Sequence, residues 1–90
     1  MDVPETDLVA RAQKGNRAAF GSLYERYMDQ IYRYVYYRVS DRDEAEDLTE
    51  TVFIKAWEAL PRFRSRGATF RAWLYRIARN AVIDRHRTRK

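Results

Sequence analysis

The chain has 90 residues, of which 46% are hydrophobic and 14% aromatic, enough for one small folded domain and too few for a second core. With no Cys, one His and three Gly, it excludes disulfide scaffolds, thiolate metal sites and Cys nucleophiles, and leaves little for a zinc site or a phosphate-binding Gly loop. No apolar run approaches the roughly 18 residues of a membrane span, and the acidic N-terminus is unlike a signal peptide. We expect a cytoplasmic domain with no membrane insertion and no cofactor.

The net charge of +5 is divided unevenly along the chain. Residues 1–61 carry 8 Lys and Arg against 12 Asp and Glu, whereas residues 62–90 carry 10 Lys and Arg against one acid, Asp84. This asymmetry indicates a polyanion partner for the C-terminal third and a different partner for the rest. A solvated charged surface without a partner is the alternative interpretation.

Apolar residues recur every three or four positions along the whole chain, which predicts helices throughout. The first is a short helix with Thr6 as its cap and Gly15 as its terminator. The second is a long helix that Asn16 caps and that runs to about Val39.

The second half of the chain predicts two further helices. Ser40 and Asp43 form an S-x-x-D capping arrangement at the start of the third helix, and Pro61 ends it. Residues 61–68 are predicted to form a basic loop that only one aromatic side chain anchors. Thr69 is predicted to cap the fourth helix.

These elements predict an all-α fold, a compact bundle of three substantial helices plus a short N-terminal helix. No stretch has the period of a strand, and no linker divides the chain, so residues 1–90 are expected to form a single domain. The basic tail, residues 85–90, is predicted to fray without a partner.

One side of the third helix is acidic and carries an aliphatic residue. At about 100° per residue, Asp43, Glu46, Asp47 and Glu50 fall within one sector, and Ile54 lies inside it one turn beyond Glu50. Such a pattern is typical of a protein-docking surface, where charges steer the partner and an apolar group anchors it. A solvated helix N-terminus would explain the first acids but not Ile54.

The side of the fourth helix opposite its apolar face is basic. Arg76, Arg79 and Arg87 can supply phosphate contacts there, and the Asn80 amide can both donate to and accept from a base edge. The preceding loop adds Arg62, Phe63, Arg64 and Arg66. Basic groups interleaved with an aromatic suit an unstacked strand better than a closed duplex. Asp84, the one acid, is predicted to turn inward and pair with an internal Arg.

Two segments in order carry a family resemblance. Residues 43–49 (DEAEDLT) and 52–57 (VFIKAW) closely resemble a signature of bacterial sigma factors of the extracytoplasmic-function (ECF) group, in the sigma-70 family. Residues 70–80 (FRAWLYRIARN), followed by Asp84 and Arg87, resemble the second motif of that family. The resemblance covers nearly the whole chain and identifies it with region 2 of these proteins.

The resemblance implies a non-enzymatic domain that guides RNA polymerase to promoters. In the family the acidic helix docks on the clamp helices of the largest subunit of core RNA polymerase, which assigns docking to Asp43, Glu46, Asp47, Glu50 and Ile54. The loop and fourth helix recognise the promoter −10 element as it opens and capture a flipped base of the non-template strand. By the resemblance, loop residues 62–68 and Asn80 would line the base pocket, while Arg76, Arg79 and Arg87 would hold phosphates.

Two features depart from the family pattern. Glu50 and Thr51 stand where the family usually has Gln and Glu. The family normally continues into a helix-turn-helix domain that reads the −35 element, and that domain is absent from these 90 residues, which leaves open a piece of a longer protein or a stand-alone domain. Two other functions also stay open: a sigma-like module bound mainly by an anti-sigma protein, and a generic basic helical binder of nucleic acid, RNA included.

Overall fold

Four α-helices make up most of the structure. The computed structural model describes residues 3–88 and contains α1 (Glu5–Gln13), α2 (Arg17–Val39), α3 (Arg42–Ala59) and α4 (Phe70–Thr88). A short 3₁₀ turn, Leu60–Arg62, follows α3 directly and contains the proline that was predicted to end it. The prediction of an all-α bundle with three long helices and one short one is confirmed.

Two helices are capped by the side chains that the sequence predicted. The Asn16 Oδ1 atom accepts from the Ala19 N–H at 3.0 Å, and the Thr69 Oγ1 atom accepts from the Ala72 N–H at 3.1 Å. Each bond satisfies an amide that the first turn of a helix leaves without a partner. Gly15 follows α1 with a φ of 95°, so the predicted terminator does supply the left-handed residue that turns the chain.

The start of α1 differs from the prediction. Pro4, not Thr6, occupies the N-cap position, and its carbonyl accepts from the N–H groups of Asp7 and Leu8 at 3.0 and 3.2 Å. Thr6 lies within the first turn and makes no capping bond. Proline has no side-chain oxygen that could accept a hydrogen bond, so only its backbone carbonyl closes the first turn of α1.

The turn between α2 and α3 also differs by one residue. Ser40 has a φ of 56° and closes α2 through a 2.8 Å bond from its N–H to the Tyr36 carbonyl. Asp41 caps α3 instead, with its Oδ1 atom accepting from the Glu44 N–H at 3.0 Å. The predicted Ser40–Asp43 arrangement is therefore wrong, because Ser40 is already used to end the preceding helix.

Helix α4 extends further than predicted. Residues 85–88 of the tail that was expected to fray are helical, and residues 89 and 90 lie outside the described part of the chain. Arg85 holds this end of the helix in place, because its Nη1 atom lies 3.6 Å from the Glu44 carboxylate, whose side chain is only 6% exposed.

The predicted partner of Asp84 is wrong for a related reason. Asp84 is exposed and lies 3.9 Å from the Lys55 ammonium, a surface pair rather than an internal contact with Arg. The internal carboxylate is instead Glu44, in the first turn of α3, whose burial was not predicted. One residue thus takes the role that the pattern assigned to another.

The core is organised around α2. Its residues Leu23, Ile31 and Val35 have no exposed surface, and α1, α3 and α4 all pack against this helix. Full burial of such side chains contributes about 1.5–3 kcal/mol each relative to exposure. Aromatic contacts show the helix directions. Phe20 meets Trp57 and Tyr24 meets Phe53, so α3 runs antiparallel to α2. Tyr27 meets Phe70 and Tyr34 meets Tyr75, so α4 runs parallel to α2.

The phenol of Tyr27 joins α2 to α1. The side chain is buried and its hydroxyl donates to the Glu5 carboxylate. Burial, together with the hydrogen bond to Glu5 and the negative charge of that residue, raises the pKa of Tyr27 to about 12. The folded state therefore holds this proton more tightly than the unfolded state does, and the resulting stabilisation is complete below the unfolded pKa of about 10.

We expect the free energy of unfolding to fall between about pH 10 and pH 12 more steeply in the wild type than in Tyr27→Phe, because only the wild type loses this proton. At neutral pH, Tyr27→Phe should cost about 1 kcal/mol through the lost hydrogen bond. Urea denaturation at several pH values measures both effects. Tyr37→Phe, at a side chain 76% exposed, is the control. Parallel pH profiles for wild type and Tyr27→Phe would contradict the assignment.

Candidate docking and nucleic-acid surfaces

The acidic side of α3 is on the surface as predicted. Its four carboxylates and its aliphatic residue are all exposed, the latter to 51%. We refer to this set as the docking surface: Asp43, Glu46, Asp47, Glu50 and Ile54. Glu46 is engaged with Arg42 at 3.4 Å in an exposed pair, whereas within residues 3–88 Asp47 and Glu50 form no ion pair. Those two charges are available to a basic partner.

A groove between α2 and α3 adjoins the docking surface. Phe20, Tyr24, Phe53 and Trp57 form its apolar lining, and Ile54 borders it together with Glu50 and Glu58. The Phe20 and Trp57 ring centroids lie 5.0 Å apart, and those of Tyr24 and Phe53 lie 4.8 Å apart. The contribution of α2 was not predicted, because helical periodicity identifies apolar residues without showing whether a neighbour covers them.

The outward side of α4 is basic as predicted. Arg76, Arg79, Asn80 and Arg87 are all exposed, and Trp73 beside them is half-buried. The arginines of the preceding segment, Arg62, Arg64 and Arg66, are exposed as well. We call these seven residues, without Trp73, the basic surface.

Phe63 does not belong to that surface. Its side chain is 8% exposed and lies against Trp73 and Phe70, with ring centroids 4.9 and 6.3 Å away. In this arrangement it supports the segment from beneath and cannot stack on a base. A base contact by Phe63 stays a prediction, and it would require this side chain to leave the aromatic cluster.

The loop between α3 and α4, residues 63–69, has more anchors than the sequence indicated. The Gln13 side-chain amide, at the end of α1, donates to the carbonyls of Leu60 and Phe63 at 3.2 and 2.9 Å. Within the loop the Ser65 hydroxyl donates to the Ala68 carbonyl at 3.1 Å. No sequence signal pointed to Gln13, because its partners lie 47 and 50 residues away.

A cleft of about 410 Å³ lies between α1 and this loop. Its walls include Val9, Ala10 and Gln13 from α1, and Phe63 and Ser65 from the loop. This volume lies within the range of small-molecule sites.

Asn80 does not line this cleft. It follows the first residue of α4 by ten positions, which is about 15 Å along the helix axis. Asn80 thus lies outside this cleft, and its part in a base pocket stays a prediction.

Neither a metal-binding cluster nor a membrane-spanning helix is found among the described residues. Between positions 3 and 88, no three or more His, Cys, Asp or Glu side chains are grouped so that they could hold a metal ion. None of the helices in that range combines the length and the apolar character needed to cross a bilayer.

The family model for sigma-70 region 2 matches residues 23–90. The chain therefore belongs to the sigma-70 region 2 family, and the resemblance noted in its two motifs is confirmed. Its relatives place it in the ECF group. It is 50% identical over 78 residues to the ECF RNA polymerase sigma factor BldN of Streptomyces coelicolor, and 37% identical over 82 residues to the ECF RNA polymerase sigma factor SigW of Bacillus subtilis.

These matches take in most of this chain but less than half of each relative. The alignment with BldN covers 87% of this chain and 30% of the relative, and that with SigW covers 91% and 43%. The chain thus corresponds to one part of the longer sigma factors.

Two solved structures share the fold. One is the NMR structure of an engineered region 2 of sigmaE in complex with GTAAAA, with a TM-score of 0.88 at 33% identity, covering 98% of this chain and 93% of that one. The other is the RsbN–BldN complex, with a TM-score of 0.81 at 48% identity, covering 89% of this chain and 58% of that one. The first similar domain was solved with a nucleic acid and the second with another protein.

Replacing Gln13 by Ala should loosen the α3–α4 loop without unfolding the domain. Because two hydrogen bonds of about 1 kcal/mol each are lost, we expect amide exchange at Phe63 and the following loop residues to accelerate about tenfold or more. Hydrogen exchange followed by NMR measures this directly. Lys14→Ala, at the exposed neighbouring position, is the matched control. Equal exchange rates in wild type and Gln13→Ala would show that the loop does not depend on α1.

Proposed function

We propose that this domain is a transcription initiation factor module that docks on core RNA polymerase, recognises and opens the promoter −10 element, and captures a flipped base of the non-template strand. It performs no chemistry itself. The observation that carries the proposal is the separation of two exposed surfaces of opposite charge on different helices of a sigma-70 region 2 chain. Each surface fits one partner.

Docking is assigned to α3 because its exposed face combines charge with an apolar anchor. Asp47 and Glu50 are free of ion pairs within the described residues, and Ile54 stands beside an aromatic groove that no other part of residues 3–88 fills. Unpaired acids steer a basic partner during encounter, and an exposed aliphatic at the edge of a groove supplies an anchoring contact. The clamp helices of the largest polymerase subunit are the proposed partner.

Strand recognition is assigned to the basic surface. Flipping a base costs a few kcal/mol of unstacking, which stacking and hydrogen bonds in a pocket must offset. The cleft beside the loop offers the required volume, and the Gln13 side-chain carbonyl and the Ser65 hydroxyl oxygen can still accept hydrogen bonds there, although their donors are used within the domain. Arg76 and Arg79 would hold the phosphates that follow. The similar engineered domain of sigmaE in complex with GTAAAA supports this assignment.

Reversing one charge of the docking surface should weaken polymerase binding. Asp47→Arg is expected to reduce affinity for core polymerase by roughly 1–3 kcal/mol, because it faces a basic partner with the wrong charge, while folding changes little at an exposed position. A titration of labelled domain with core polymerase measures the effect, and Asp7→Arg on α1 is the charge-matched control. Equal affinities for wild type and Asp47→Arg would remove α3 from the docking assignment.

Substitutions of Asn80 and of its arginine neighbours should affect strand binding differently. Arg76→Ala and Arg79→Ala should weaken all single strands about equally and flatten the log–log salt dependence by about 0.7 each, if each side chain neutralises one phosphate. Asn80→Ala should leave that slope unchanged but lose roughly 1–3 kcal/mol of discrimination against a strand substituted at the base that Asn80 contacts. Titrations of both strands at several salt concentrations separate these effects. Should Asn80→Ala weaken both strands equally, base reading belongs to the cleft beside the loop.

A second candidate function is that of a regulatory module bound mainly by an anti-sigma protein. The specific observation in its favour is that the similar BldN chain was solved in the RsbN–BldN complex. A pull-down from a lysate of the source organism, with wild type and Asp47→Arg as baits, distinguishes the two functions. Recovery of polymerase subunits that the substitution abolishes supports the first, whereas recovery of a small regulator without polymerase supports the second.

A further inference from the structure

The C-terminal half of α2 carries an exposed basic and aromatic strip outside both surfaces described above. Residues 30–40 contain two arginines, four tyrosines and no acid. Arg33 and Arg38 are exposed, and the Tyr37 side chain is 76% exposed. The buried residues of this segment recur with the helical period and belong to the core. Its exposed residues have no role in docking or in base reading as proposed above.

The strip is joined to α4 through a row of alternating cations and aromatic rings. Tyr34 on α2 meets Tyr75 on α4 edge to face, with ring centroids 5.3 Å apart. The Arg38 guanidinium lies over the Tyr34 ring, 3.6 Å from its centroid, and the Arg71 guanidinium lies over the Tyr75 ring at 5.2 Å. The order Arg71, Tyr75, Tyr34, Arg38 therefore runs across the two helices without interruption.

This row holds the Arg38 guanidinium in one place. Its Nη1 atom donates to the Tyr34 carbonyl at 3.0 Å, and its ring contact restricts the rest of the group. A guanidinium has five N–H donors, so an exposed one that uses a single donor keeps the others for an anion. Because the side chain is already ordered, binding a phosphate costs less conformational entropy than it would for a free arginine.

Helix geometry places a second arginine at the same level. Tyr34 and Tyr75 are in contact and the two helices run parallel, so Arg38 and Arg79, each one turn further on, lie on either side of the α2–α4 contact. Neither arginine takes part in an ion pair within residues 3–88. The nearest acids along the chain are Asp29 on α2 and Asp41, which follows α2 and is occupied as the cap of α3.

We infer that Arg33, Tyr37 and Arg38, which lie beside Arg79 of the basic surface, form a second nucleic-acid contact that binds phosphates of duplex DNA adjoining the segment read by the loop. The inference rests on the proposed function, because it assumes that a strand lies along α4. From the first residue of α4 to Arg79 is about 14 Å along the helix, the length of about four phosphates of one strand. Arg38 lies at this level but on α2, across the α2–α4 contact, so a single strand held along α4 does not cover it, whereas the second strand of a flanking duplex can reach it.

The test compares two DNA lengths with the full 90-residue chain. The short probe is the hexamer GTAAAA, and the long probes carry the same hexamer joined to a duplex of about ten base pairs at its 5′ or its 3′ end. Arg33→Gln and Arg38→Gln are titrated at several salt concentrations, with Arg17→Gln at the other end of α2 as the matched control. We expect each strip variant to weaken one of the long probes about threefold to tenfold and to flatten its salt slope by about 0.9, leaving the hexamer unchanged.

Each other outcome overturns the inference in a recognisable way. Unchanged binding of both long probes removes the strip from the DNA interface, and equal losses on hexamer and long probes place it on the single strand instead. Loss of affinity for core polymerase with normal DNA binding would assign it to a protein partner. If Arg76→Ala still weakens the hexamer while the strip variants have no effect, only this inference fails. If wild type binds no probe, the proposed function fails with it.

Discussion

The burial of one stripe of α2 is the constraint on which the rest of the structure depends. Leu23, Ile31 and Val35 are inaccessible only because α1, α3 and α4 all pack on this helix. A different helix packs on each side of this stripe. On one side Tyr24 contacts α3, which runs antiparallel to α2, and on the other side Tyr27 contacts α4, which runs parallel to α2. The acidic docking surface and the basic surface are held apart because the helices that carry them lie on different flanks of a single buried helix.

A buried ion pair adds a second constraint, between the start of α3 and the end of α4. Glu44 is enclosed by the fold and reaches Arg85, whose side chain is partly exposed. Such a pair gives little net stability, since desolvation of the carboxylate offsets much of the attraction. Any arrangement that buried the carboxylate without a cation would be strongly disfavoured. The pair therefore restricts how α4 can lie across α3, more than it strengthens the contact.

Much of this organisation could be predicted from the sequence because it depends on local signals. Helical periodicity, the Asn16 and Thr69 caps and Gly15 gave the architecture, and the charge pattern of α3 identified five residues that are indeed exposed. Where two local signals competed, the prediction failed. Ser40 was predicted to cap α3, but it has a left-handed conformation and its N–H bonds to the Tyr36 carbonyl, so it ends α2 instead.

The remaining features depend on contacts between distant parts of the chain. Gln13 anchors a loop some fifty residues away, and Phe63 turns inward because Trp73 and Phe70 offer it a ring cluster. Glu44 is buried and Asp84 is exposed for the same reason. No periodicity or spacing encodes these pairings, since each depends on how the helices cross. The distance between Asn80 and the loop cleft is likewise a property of the assembled bundle.

The two-residue connection between α2 and α3 has a consequence for the tolerance of the fold to changes in chain length. Ser40 closes one helix and Asp41 opens the next, so the junction contains no slack. Inserting or deleting one residue within α3 just after this junction would rotate the remaining side chains by about 100° and carry the acids away from the groove that they border. The α3–α4 loop has no such restriction, because its length does not set the phase of α3. The first turn of α3 is therefore the place in this fold where a change of chain length displaces the docking surface most directly.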